Sequence, residues 1–153
     1  MTSSESARLL KWFDEKFLVG SVWLHPAFYF QYTGETKPKF FVVLNPSAAD
    51  GFAYIALTTS QTAAYSKNRL AMSQYVLIPQ GRVGCFVFPT LVKVTNFQRL
   101  PFEVLRDNFP KRSIRDRMEF KEFLPNVLIE QIRNKFLFSD NIPQATKEMV
   151  FPT

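Results

Sequence analysis

Between Gly20 and Phe97 the chain repeats a pattern that few folds accommodate: about five apolar runs of strand length, each bounded by turn-forming residues. "SVWLHPAFYFQY" stops at Thr33-Gly34-Glu35, "KFFVVLN" stops at Pro46, and "FAYIALTTS" follows Gly51. "QYVLIP" closes at Gln80-Gly81, and "GCFVFPTLVKVTNF" completes the series. Runs rich in Val, Ile, Phe and Tyr at this spacing predict a small, strongly bent antiparallel sheet or an SH3-like barrel.

The flanks read as helices. Leu9, Leu10, Phe13 and Phe17 fall at helical spacing, opposite Lys11, Asp14, Glu15 and Lys16, which predicts an amphipathic helix over about 4–17. After Pro101, "FEVLRDNF" reads as a short helix. "SIRDRMEFKEFL" reads as another, with Ser113 as its cap and Asp116 three residues on. Asn126 is placed to cap a last helix, whose apolar face is Leu128, Ile129, Ile132 and Phe136. The expectation is a single α+β domain over 1–153: an N-terminal helix (1–19), the strand region (20–97), helices (98–140) and a tail (141–153).

Composition narrows the partners. The net charge is +6 with only 21% charged residues, which favours acidic partners. No Asp or Glu occurs between Asp50 and Glu103, while Lys67, Arg69, Arg82, Lys93 and Arg99 do. Either this stretch builds a positive surface for phosphate or its charges are scattered. Phe supplies 17 residues, chiefly for a core, with base stacking as the other use. A single Cys85 and a single His25 leave no internal disulfide, and no protein-built zinc site or Cys/His nucleophile pair is expected. The polar, amphipathic start lacks the apolar core of a signal peptide, and no run has the length of a membrane span. The expected setting is cytoplasmic, with no membrane association.

The sequence lacks most of the short motifs that mark a known chemistry. There is no P-loop, no dinucleotide glycine pattern and no G-x-S-x-G elbow, and carboxylates are too sparse among the strands for an acidic metal-binding nuclease core. Neither metal nor other cofactor is expected. What stands out is Thr58-Thr59-Ser60-Gln61 closing an apolar run. Two readings stay open: a strand end meeting water, or the floor of a reactive site.

The series "GSVWLHPAF", "KPKFFVVLN", "IALTTSQ" and "CFVFPTLVKV", followed by a late helix, resembles the MazF/PemK-like toxin family over roughly residues 19–138. Thr59-Ser60-Gln61 matches the Thr-Ser-Gln motif of that family, and Thr59 falls on its catalytic threonine. The family arginine is replaced by lysine: aligning the apolar strand selects Lys39, and aligning the basic-Pro dipeptide selects Lys37. The family's opening Gly-Asp is Gly20-Ser21. The resemblance implies a metal-independent endoribonuclease that cuts single-stranded RNA, forms a homodimer and is held inactive by an antitoxin protein. A non-catalytic RNA- or protein-binding module on the same scaffold is the alternative.

The residues fit that chemistry on physical grounds. Attack by a 2′-hydroxyl on the adjacent phosphate needs a base, positive charge on the phosphorane and an acid at the leaving oxygen. Lys37 or Lys39 supplies charge, two residues apart and so on one strand face; Thr59 and Ser60 supply hydroxyls; His25 is the one conventional base. Gln61, Lys67, Arg69 and Arg82 are candidate RNA contacts on the rim. Lysines also guard sheet edges, and the set from Arg106 to Lys121 is interleaved with acids, as on a solvated helix face.

Overall fold

The computed structural model describes residues 2–30, 33–63 and 73–152. Helix α1 spans Ser3–Lys16. Its start is fixed reciprocally: the Glu5 N–H donates to Thr2 Oγ1 at 3.2 Å, and the Thr2 N–H donates to Glu5 Oε2 at 3.3 Å. Phe13 is the helix's buried residue, and Phe17 is buried just past its end.

Seven strands follow among the described residues: β1 (Ser21–Tyr29), β2 (Thr36–Asn45), β3 (Phe52–Thr59), β4 (Tyr75–Ile78), β5 (Thr90–Lys93), β6 (Gln98–Pro101) and β7 (Glu119–Phe123). They are joined by α2 (Phe102–Asn108), α3 (Asn126–Leu137) and α4 (Gln144–Val150). All pairings are antiparallel, in the order β4-β5-β3-β2-β1-β7, with β6 also on β3. The sheet is strongly curled and does not close, so of the two expected shapes the bent sheet is the one found.

Side-chain alternation splits the interior into two cores, one on each face of the sheet. Val22, Val42, Leu44, Tyr54 and Ala56 pack with Leu128, Ile132 and Phe136 of α3 and with Val150 of α4. Trp23, Phe41, Val43, Ile55 and Leu57 pack on the other face with Phe13, Phe17, Phe109 and Met118. Burial on both faces is why β2 and β3 read as nearly unbroken apolar runs. At the mouth of β1, Gly20 has a φ of +83°, and a Cβ there would sit 2.3 Å from Ile129 Cδ1. The positive φ already favours glycine, and any larger residue would also have to push the Ile129 side chain of α3 aside.

Three expectations about the C-terminal third are corrected. First, 98–140 is not all helix, since β6 and β7 lie within it. The Ser113 cap does form: its hydroxyl donates to Asp116 Oδ2 at 3.0 Å, and the Asp116 N–H donates to Ser113 Oγ at 3.3 Å. It closes a turn rather than starting a helix, and "EFKEF" then extends along β1 as β7. A short alternating segment satisfies either period, and the unpaired edge of β1 decides it. Second, Asn126 is the first residue of α3 and not its cap; Pro125 holds the cap position without a side-chain bond. Third, the supposed tail contains α4, with Ile142, Val150 and Phe151 buried.

Asn45 ties that last helix to the sheet. Its Nδ2 donates to the carbonyls of Met149 (3.2 Å) and Val150 (3.0 Å), two of the acceptors a helix end leaves unpaired. Asn45→Ala is expected to lower stability by about 1–2 kcal/mol in urea unfolding. An unchanged midpoint would mean that water serves those carbonyls equally well.

Candidate functional site

Strand register brings three of the expected residues into one row. His25 of β1 pairs with Lys39 of β2. The ladder between β2 and β3 runs to Phe41–Leu57, and continuing it by two steps sets Lys39 opposite Thr59. Thr59 in turn pairs with Leu91 of β5. Paired residues in an antiparallel sheet share a face, so His25, Lys39 and Thr59 project on the side of Trp23 and Phe41. Lys39 and Thr59 also border a cavity of about 290 Å³ at the strand ends, which Phe40, Cys85 and Phe86 line from the opposite face and which His25 does not reach.

The three hydroxyls differ in what they are free to do. Thr58 Oγ1 donates to the Phe40 carbonyl at 3.2 Å, continuing the ladder through a side chain, so Thr58 is a structural strand end. Thr59 Oγ1 accepts the Gln61 N–H at 3.2 Å and keeps its own proton available to donate. Ser60 is exposed beside it.

Between the two lysines the geometry discriminates. Lys37 is exposed, with its Nζ 3.0 Å from Glu35 Oε2, and does not line the cavity. Lys39 is half-buried at the cavity wall. Burial, reinforced by the charges of Lys93 and then Lys37, holds its pKa below the ordinary lysine value. Lys93 lies two residues from Leu91 and therefore on the Thr59 face. In the sequence it was one basic residue among several, because the face of Leu91 is set by its pairing with Thr59.

Burial, then the charge of Arg112, depresses the pKa of His25. Its Nδ1 accepts the Ala27 N–H at 3.2 Å, which leaves the neutral ring its proton on Nε2. In this arrangement His25 donates rather than accepts. Because its pKa falls on folding, the unfolded chain binds more protons, and stability is lost as pH drops below the ordinary histidine value of about 6.5. His25→Phe is expected to flatten the acid side of a stability–pH profile measured by denaturant unfolding. An unaltered slope would place that loss on other groups.

The remaining candidates are spread out. Gln61 is exposed next to Thr59; Arg82 is exposed on the turn after β4 and does not line the cavity; Lys67 and Arg69 lie outside the described residues. The stretch that lacks acids in sequence does not lack them in space, because the Cys85 N–H donates to Glu122 Oε2 of β7 at 3.0 Å. Burial and Glu122 push the Cys85 thiol up to about 12, so it is no nucleophile. Three members of the basic set from Arg106 to Lys121 are engaged structurally, though not as pairs along one helix. Arg106 grips Asp14 of α1 through two bonds of 2.9 and 2.8 Å, Lys121 meets Glu119 at 2.7 Å, and Arg117 donates to the Phe109 and Arg112 carbonyls. Among the described residues, no group of three His, Cys, Asp or Glu side chains gathers as a metal-ligand set, and no helix is long and apolar enough to cross a membrane. Compared with protein-family models and with curated proteins, the chain matches none.

Proposed function

We propose that this chain is a metal-independent endoribonuclease acting on single-stranded RNA, with the row of His25, Lys39 and Thr59 as its reactive centre. The observation that carries this reading is a half-buried lysine of depressed pKa lining the same cavity as a threonine whose hydroxyl oxygen accepts the Gln61 N–H and keeps its own proton to donate. In the reaction, the 2′-oxygen bonds to the adjacent phosphorus and its proton passes to solvent. The bond to the 5′-oxygen breaks, leaving a 2′,3′-cyclic phosphate and a free 5′-hydroxyl. Lys39 protonates that leaving oxygen, a task for which a lowered pKa suits it. Thr59 and Ser60 donate to a non-bridging oxygen, and His25 Nε2–H adds a neutral donor. On this reading the protein is the cytoplasmic toxin of a type II toxin–antitoxin system, a homodimer restrained by an antitoxin protein.

One observation favours a second reading, in which the same surface grips RNA without cutting it. The acceptor nitrogen of His25 is already engaged, so no conventional base faces the 2′-hydroxyl. Incubating the protein with labelled single-stranded RNA in excess chelator separates the two. Products ending in cyclic phosphate support cleavage; salt-dependent binding to intact RNA supports the module; neither result would leave the lysine row as edge protection.

A further inference from the structure

We propose that the open seam of the curled sheet, between the end of β1 and β6, is a pocket for one unstacked nucleobase. The inference rests on the RNA reading above and adds to it a site that the row of lysine and threonine does not contain.

The pocket follows from why the sheet fails to close. β1 carries Pro26, which has no N–H to pair, and its register with β2 slips between His25 and Phe28. The strand therefore bends at that point, and its end curls toward β6, which is seated on the first half of β3. The space left is about 350 Å³, lined chiefly by His25, Phe28, Phe30, Leu57, Gln98 and Leu100. Its walls are aromatic: the Phe28 and Phe30 rings are 5.2 Å apart at 67°, and His25 and Phe28 are 5.8 Å apart at 89°.

The chemistry of this lining selects a neutral planar heterocycle over a phosphate. Arg99, the one cation in the lining, is directed elsewhere, its guanidinium 4.8 Å from the centre of the Phe52 ring and 3.9 Å from Asp50. Arg112 and Lys39, which lie near His25, do not line the pocket. His25 is held toward its neutral form by burial. Gln98 pairs with Ile55, whose side chain lies in the core on the Trp23 face, so the Gln98 amide projects into the same space. Among the described residues no side chain or backbone group hydrogen-bonds that amide. It offers one acceptor and two donors, which suits the edge of a base. The aromatic rings offer stacking, which every base accepts.

Position links the pocket to the proposed reaction. His25 is both a wall of the pocket and the first member of the row that continues to Lys39 and Thr59. Neighbouring strands are about 4.8 Å apart, so one nucleotide spans from a base in the seam to a phosphate at the lysine. A base held here aligns that phosphate with Lys39.

The test uses fluorescence anisotropy with the full chain and a short single-stranded RNA containing all four bases, carrying one abasic nucleotide at each position in turn. For the unmodified protein, one abasic position is expected to weaken binding about tenfold, the scale of a lost aromatic stack. Phe30→Ala is expected to lose most of that penalty. Gln98→Ala, at a half-buried site with no internal bond to lose, is expected to keep its fold and to bind the four bases at that position alike. If intact RNA binds but every abasic version binds equally well, or if both variants keep the full penalty and base preference, the pocket is overturned while the RNA reading stands. If intact RNA does not bind at all, both readings fall.

Discussion

Trp23→Ala is expected to lower stability by about 3–5 kcal/mol, a large share of what holds a domain of this size together. Trp23 is fully buried on the second strand face and is the hub of an aromatic cluster. Its ring centre lies 5.7 Å from Phe13, 5.5 Å from Phe17, 5.8 Å from Trp12 and 5.6 Å from Phe120, mostly in tilted or edge-on arrangements. Such pairs add to the area they bury. Its Nε1 also donates to Ser21 Oγ at 3.0 Å, and that hydroxyl donates to the Leu18 carbonyl at 2.7 Å. Removing the indole thus empties a large volume and strips a partner from a buried hydroxyl. Trp23→Phe refills part of the volume and leaves only the hydrogen bond missing, so it is expected to cost much less. Urea unfolding of both variants measures the difference. If the alanine variant lost under about 1 kcal/mol, the ordinary range for an inconsequential substitution, α1 would not be held by this cluster.

That cluster shows how far the sequence reached. The periodicity of Leu9, Phe13 and Phe17 was sufficient for α1, because an apolar stripe at that spacing has few other uses. Strands β1 to β3 were legible for the same reason, their runs being bounded by Gly34, Pro46 and Gly51. β7 was not, because "EFKEF" takes its conformation from the free edge of β1 and not from its own residues. The last helix was read as a tail because its docking depends on Asn45, more than a hundred residues away. At the candidate site, parity placed Lys37 and Lys39 on one face but could not choose between them; Glu35 makes the choice by pairing with Lys37. Lys93 and Gln98 reach this face through pairings with β3 that only the assembled sheet displays.

The lysine choice leads to the sharpest functional expectation. Lys39→Ala is expected to reduce RNA cleavage at least tenfold, about 1.4 kcal/mol in the barrier, and Thr59→Ala to reduce it comparably. Lys37→Ala is expected to change little, because its charge is exposed and already paired with Glu35. Lys39→Arg restores a charge and adds the two-pronged donor geometry that fits a phosphorane, but a guanidinium does not release its proton, so it is expected to recover RNA binding and only part of the rate that alanine loses. A pH profile supplies a readout that lost binding alone would not move. Lys39 must be protonated to serve the leaving oxygen, and burial with Lys93 and Lys37 nearby lowers its pKa from the ordinary 10.5. Cleavage is therefore expected to decline on the alkaline side at a pH below that value, and Lys39→Arg to shift the decline upward. Single-turnover rates on labelled RNA in chelator check each point. Equal losses for Lys37→Ala and Lys39→Ala, or an alkaline limb that Lys39→Arg leaves in place, would remove Lys39 from the chemistry and return it to guarding the end of its strand.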